Sequence, residues 1–275
     1  MLVPLVLNLM LWLAPRISPQ PFANEVLANV PGASEQLAPL VAQQRELGIP
    51  FDLRLFGLLQ LARPLVGQVA APPSPWSAAP WHVGDTVVLL GTLLAVNLLA
   101  LAVLTAYFGV VSAAVLPSTA ASSTLRHWLR RFWRVGGVVA IWLAIAVGLF
   151  LPFAFVGTLL SFVAPIVGTA VGLVGVVLLL WMLWTGQFAF AAVTLNDVSP
   201  ARALLNSVVV VRHWFWSTLG LWLLNRLIIG GLDVIWRQFA LGGVLGWSLA
   251  VLGSSYVTAG LLTADFVFYR ERIKG

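Results

Sequence analysis

The sequence predicts an all-α fold of the polytopic membrane class, with five spans plus an N-terminal anchor, and three observations carry that reading. Of 275 residues, 60% are apolar and 9% charged, whereas soluble domains carry roughly a quarter charged residues. Mean hydropathy is +0.98. The charges are also spaced so as to leave uncharged runs of 40 residues after Asp85, 62 after Arg134 and 27 after Arg237, and about 20 residues span a bilayer as a helix. Continuous apolar runs exclude an outer-membrane barrel, which needs segments of about ten residues with alternating polarity. The absence of cysteine excludes disulfides, a thiol nucleophile and thiolate metal sites.

The elements follow from these runs. The start, MLVPLVLNLMLWLAP, is apolar for 15 residues without a basic lead, so a cleaved signal peptide, a short anchor and a surface-lying segment are all open. No A-x-A-like cleavage site follows, which favours a retained anchor at 1–15. Residues 16–85 form an extracytoplasmic amphipathic-helical segment. Prolines and Gly32 and Gly48 punctuate it into short helices at 21–30, 39–47 and 51–63, and the Pro-rich AAPPSPWSAAP tether leads into the membrane. A small binding module is the alternative for this region. The membrane helix bundle occupies 86–275, with spans predicted at 86–111, 135–156, 166–192, 214–232 and 241–267 and a turn over 157–165.

Charge orients the bundle. The net charge of +6 and pI near 11 would suggest nucleic acid in a soluble chain, but residues 16–85 carry −1 and residues 86–275 carry +7. The excess therefore belongs to the membrane part, and no nucleic-acid partner is expected. Arg126, Arg130, Arg131, Arg134, Arg202, Arg212, Arg270, Arg272 and Lys274 all fall on one side, and the short connections opposite offer Arg237 alone. Positive loops stay cytoplasmic, which predicts both termini in the cytoplasm and a multi-pass protein of the inner (plasma) membrane. Nine of the thirteen tryptophans, Trp128, Trp214 and Trp236 among them, fall near predicted helix ends, where indole favours the interface.

At an offset of 83 residues Phe132-Trp133 aligns with Phe215-Trp216, Pro117 with Pro200 and Thr124 with Ser207. This suggests a parallel internal repeat of span, Pro-started surface helix and span, with surface helices at 117–133 and 200–213. The same residues carry a resemblance. Pro200, Ala203, Ser207, Arg212, Phe215, Trp216 and Gly220, and more faintly Pro117, Ser123, Arg131, Phe132, Trp133 and Gly136, resemble a pattern in uncharacterised bacterial multi-span membrane families. Those families are grouped with the membrane domain of glycerophosphodiester phosphodiesterases and with the YciC-like proteins. The resemblance covers residues 86–268 and implies a membrane module without chemistry of its own; residues 1–275 include no stretch like the soluble phosphodiesterase domain, so phosphodiesterase activity is not expected of them.

No H-E-x-x-H, G-x-S-x-G, phosphate-binding loop or paired-Glu motif occurs, so neither an enzyme nor a cofactor is expected. His82, His127 and His213 fall near helix ends rather than at the mid-span positions of haem ligands. Two candidate sites remain. On a helix, Arg126, Arg130 and Arg134 share one face, which with Arg131 would suit anionic lipid headgroups; the rival reading is a topology signal alone. Asn97, Gln187 and Arg226 are polar positions in the spans and would line a path in a transporter, although Arg226 reaching toward Asp233 or the outer headgroups is the favoured explanation for that residue. GxxxG spacings at Gly168 and Gly242 need no more than ordinary packing. The expected function is a non-enzymatic integral membrane scaffold or accessory subunit of a membrane complex, with the bilayer, anionic lipids and other membrane proteins as partners. A small-molecule or lipid permease is the alternative.

Overall fold

The computed structural model describes residues 85–116 and 125–273, together with Val3, Leu5, residues 17–18 and residues 81–82. The short helices expected at 21–30, 39–47 and 51–63, the tether, Pro117 and Ser123 lie outside the described residues. Among the described residues seven helices are defined: α1 (Thr86–Val115), α2 (Leu125–Val163), α3 (Pro165–Thr185), α4 (Ala189–Asn196), α5 (Pro200–His213), α6 (Phe215–Ala240) and α7 (Gly243–Ile273). Among the described residues five segments are long and apolar enough to cross a bilayer: α1, α2, α3 with α4, α6 and α7. The protein is a helical, multi-pass membrane protein. Apart from the helices, Ile17–Ser18 and Trp81–His82 pair as two-residue parallel strands, β1 and β2.

Asp85 begins α1 as its cap: its Oδ1 accepts hydrogen bonds from the Val87 and Val88 amides at 2.6 and 3.3 Å. The spans agree with the charge-free runs, with three differences. Residues 125–133, the described part of the surface helix expected at 117–133, are instead the first part of α2, which continues unbroken through the following span. At 39 residues α2 is about 58 Å long, so the apolar run and its basic lead fit on one helix. The expected turn over 157–165 shrinks to Ala164, because Ala164 adopts an extended conformation and Pro165 opens α3. The helix expected at 166–192 breaks at 186–188. Residues 200–213 do form a separate helix, α5.

Neighbouring spans gain nothing from leaving water when lipid is the alternative, so close approach of small residues decides their packing. The α2–α3 hairpin shows this. A Cβ on Gly157 would lie 3.1 Å from the Gly168 carbonyl oxygen, and one on Gly168 would lie 2.6 Å from that of Gly157. The two backbones touch there, and glycine is required on both sides. The GxxxG spacing at Gly168 thus marks a true close contact.

The chain divides into two compact units, Met1–Leu104 with Gly231–Ala259 and Thr105–Gly230 with Gly260–Gly275. In the first, Ala240, Trp247, Ala250 and Val251 form a buried cluster against which Leu5 and Trp236 pack. Trp236 also lies over Gly253, whose Cβ would meet its ring. The second has an aromatic centre: Phe108 stacks on Phe190 at 5.1 Å and lies 6.0 Å from Phe266, and Phe188 stacks on Phe268 at 5.5 Å. Ala189, Ala192 and Ala203 are fully buried in that unit, because small side chains are what let α4 and α5 approach it closely.

Candidate functional site

The second unit gathers its polar chemistry where α1 ends, α2 begins, α4 turns into α5 and α7 ends. Its geometry starts from the helix break at 186–188. A broken helix frees backbone groups that an apolar surrounding cannot satisfy, and Ser207 of α5 supplies the missing partner. Its hydroxyl donates to the Thr185 carbonyl at 2.6 Å and accepts from the Phe188 amide at 3.1 Å. Ser207 is fully buried. Ala203 and Ser207, two small residues among those that carry the resemblance, therefore form the inward edge of α5.

Asp197 ends α4 in the left-handed region at φ 52°, which aspartate tolerates better than most residues. That turn presents its carboxylate to α2. Arg134 donates to both the side-chain and main-chain oxygens of Asp197, and Arg130 lies 3.8 Å from the second carboxylate oxygen. The two contacts differ in kind, since the Arg134 side chain is 18% exposed and that of Arg130 62%. Pro200 then seats the first turn of α5 on α2 at Gly137, where a Cβ would lie 2.6 Å from the proline ring.

The four arginines proposed for lipid headgroups thus part company. Arg126 and Arg130 are exposed. Arg134 is held by Asp197. Arg131 is half-buried, beside Gly109 of α1, with its Nη2 3.5 Å from His127 Nε2. The face shared by Arg126, Arg130 and Arg134 exists, but the anion it meets first is the protein's own. Asp197 was not singled out from the sequence, although an N-D-x-S-P turn carrying the one acid between two spans is a legible signal for it.

The end of α7 closes the same region. Arg270 Nη1 donates to the Val115 carbonyl at 2.7 Å, one of the last-turn carbonyls of α1 that no helical amide reaches, and its positive charge suits that helix end. Arg272 stacks on Trp214 at 4.1 Å and lies 5.3 Å from the Phe268 ring, as cation–π contacts. Asn196 Nδ2 donates to the Tyr269 hydroxyl at 3.2 Å.

The polar positions within the spans sit apart in kind. Asn97 donates to the Leu93 carbonyl of its own helix at 2.8 Å. Gln187 lies in the break between α3 and α4, with its Nε2 buried and unpartnered. Arg226 is exposed on α6, with its guanidinium 5.5 Å from the Trp222 ring centre. Asp233, the partner expected for Arg226, is instead paired with Arg237 one turn on, at 2.5 Å. The polar link at the level of Arg226 is one the sequence reading did not name: Asn225 Nδ2 donates to Asp265 Oδ1 at 2.9 Å, joining α6 to α7. Among the described residues no three His, Asp or Glu side chains gather as a metal site would require.

Comparison of the chain with protein-family models, with curated proteins and with solved structures returns no match.

Proposed function

We propose that the protein is a non-enzymatic integral membrane scaffold or accessory subunit, resident in the inner (plasma) membrane with both termini cytoplasmic. The observation that carries this reading is the contrast between its apolar and polar surfaces. Along α2 and α3, large apolar side chains such as Leu151, Phe155, Leu173 and Val177 are exposed. In the second unit the arginines lie instead mostly toward helix ends: Arg126, Arg130, Arg131 and Arg134 in the first ten residues of α2, Arg202 and Arg212 at the two ends of α5, and Arg270 and Arg272 in the last turn of α7. An outward apolar surface of that extent is what lipid or neighbouring membrane subunits cover. The nine-to-one charge bias supports the cytoplasmic placement of the basic end, and the resemblance to multi-span modules lacking their own chemistry supports the non-enzymatic reading.

The permease alternative draws on the Asn225–Asp265 contact inside the α6 and α7 spans, since polar groups within a membrane often mark a pathway. Mild-detergent purification with mass spectrometry of what remains bound tests the two readings. A reproducible membrane-protein partner at fixed stoichiometry is expected, and solute flux by the purified chain in proteoliposomes would overturn the scaffold reading. Reporter fusions after Lys274 and within residues 197–199 are expected on the cytoplasmic side; an external signal at either would overturn the orientation.

A further inference from the structure

We propose that the outward face of α5 is the protein's docking surface for anionic phospholipid, with Arg202 and Arg212 holding headgroup phosphates and Leu205 and Val209 resting on the acyl chains between them. The inference rests on the reading that this end of the chain meets an anionic leaflet, and it moves the lipid contact from α2 to α5.

Two faces of α5 have opposite fates. Ala203, Ser207, Val210 and Val211 point into the second unit and are buried, while Leu205 and Val209 are both 64% exposed and Arg202 and Arg212 are exposed beside them. An apolar strip with a cation at each end suits a boundary where hydrocarbon meets phosphate. Length agrees: 14 residues make a helix of about 21 Å, shorter than the bilayer's hydrocarbon core of about 30 Å. A crossing helix would also carry its two arginines into or past the core, whereas a helix along the surface leaves both at headgroup level, about 15 Å apart. Trp216, 80% exposed at the start of α6, adds an indole of the kind that settles at that boundary.

Charge selects the kind of lipid. Residues 200–213 contain no acid, and neither Arg202 nor Arg212 pairs with a carboxylate among the described residues. Asp197, the nearest acid in the chain, is already engaged by Arg134. On α2, by contrast, Arg134 is occupied, Arg130 leans to the same carboxylate and Arg131 turns inward. Arg126 of α2 is exposed as well, but Arg202 and Arg212 are the unpaired arginines that flank the exposed Leu205 and Val209 at both ends of one helix face.

The test uses the full chain in nanodiscs of phosphatidylcholine containing a fixed fraction of phosphatidylglycerol, followed by native mass spectrometry of the lipid retained. R202Q/R212Q is expected to lose phosphatidylglycerol by about 25-fold, about fivefold per arginine, which corresponds to ~1 kcal/mol each. Phosphatidylcholine retention should be unchanged, and R126Q/R130Q should lose less. Phosphatidylglycerol retained by R202Q/R212Q at the parent's level would overturn the proposal. A photo-crosslinking residue at position 205 gives a second reading that leaves both arginines in place: lipid adducts are expected, and adducts to another polypeptide would overturn it. Because both leaflets of a nanodisc have the same composition, this result stands whichever way the reporter fusions fall. Failure of the orientation and failure of the α5 site are therefore separable.

Discussion

The α2–α3 hairpin and the α4–α5 elbow lie in the same unit and are held by different forces. At the hairpin, Gly157 and Gly168 bring two backbones into contact and no charged group takes part. At the elbow, one buried hydroxyl, one aspartate in a left-handed turn and two arginines do the joining. Surroundings account for the difference. Where lipid is the solvent, hydrocarbon burial favours no particular helix pair, and close packing of small residues remains as the attraction. Near the membrane surface and around a broken helix, unsatisfied amides and carbonyls exist, and each must find a partner.

Substitutions that attack one joint and spare the other break or sharpen this contrast. The largest effect is expected from Gly168→Leu, because the new side chain meets backbone, and backbone cannot move aside as a flexible side chain would. Overpacking of this kind destabilises by about 1–3 kcal/mol or more. Thermal unfolding in detergent followed by size-exclusion chromatography should show a strongly lowered midpoint or loss of the monodisperse peak. A parent-like midpoint would remove the close-contact account of the hairpin.

Ser207→Ala comes next. It deletes the group that satisfies both Thr185 and Phe188, for an expected loss of about 1–3 kcal/mol. Ser207→Thr, which keeps the hydroxyl, should recover part of the loss if the buried site admits the extra methyl. If the alanine variant unfolds at the same temperature as the parent, the break is supported by something other than this side chain.

A double-mutant cycle on Arg134→Gln and Asp197→Asn follows, with an expected coupling of about 0.5–1 kcal/mol, toward the upper end for exposed pairs because Arg134 is largely covered. The matching cycle on Arg130 should give a coupling near zero. Equal couplings in the two cycles would mean that burial does not distinguish them.

The smallest effect is expected from Asn225→Leu, since interhelical hydrogen bonds within membranes average ~0.6 kcal/mol. A loss well above that range would make the α6–α7 link a principal strut, and would call for reassessing Asp265 as a functional group.

Much of the architecture was legible from charge spacing alone. Asp85, Asp197, Asp265 and the arginines bound the apolar runs, and five spans follow because a helix is the one open structure that satisfies its own backbone in lipid. The start of α1 one residue after Asp85, the Pro165 opening of α3 and the helix at 200–213 all come from local chemistry that the chain carries in place. What tertiary structure alone decided lies at longer range. That the apolar run over 166–192 breaks at 186–188 depends on Ser207, some 20 residues later, which replaces the bonds the break gives up. That Arg134 faces an internal carboxylate depends on Asp197, 63 residues away. That Arg131 turns inward depends on a glycine of α1. Hydropathy reports how each residue prefers its solvent and is a sum over neighbours in the chain. Which donor meets which acceptor is set by neighbours in space.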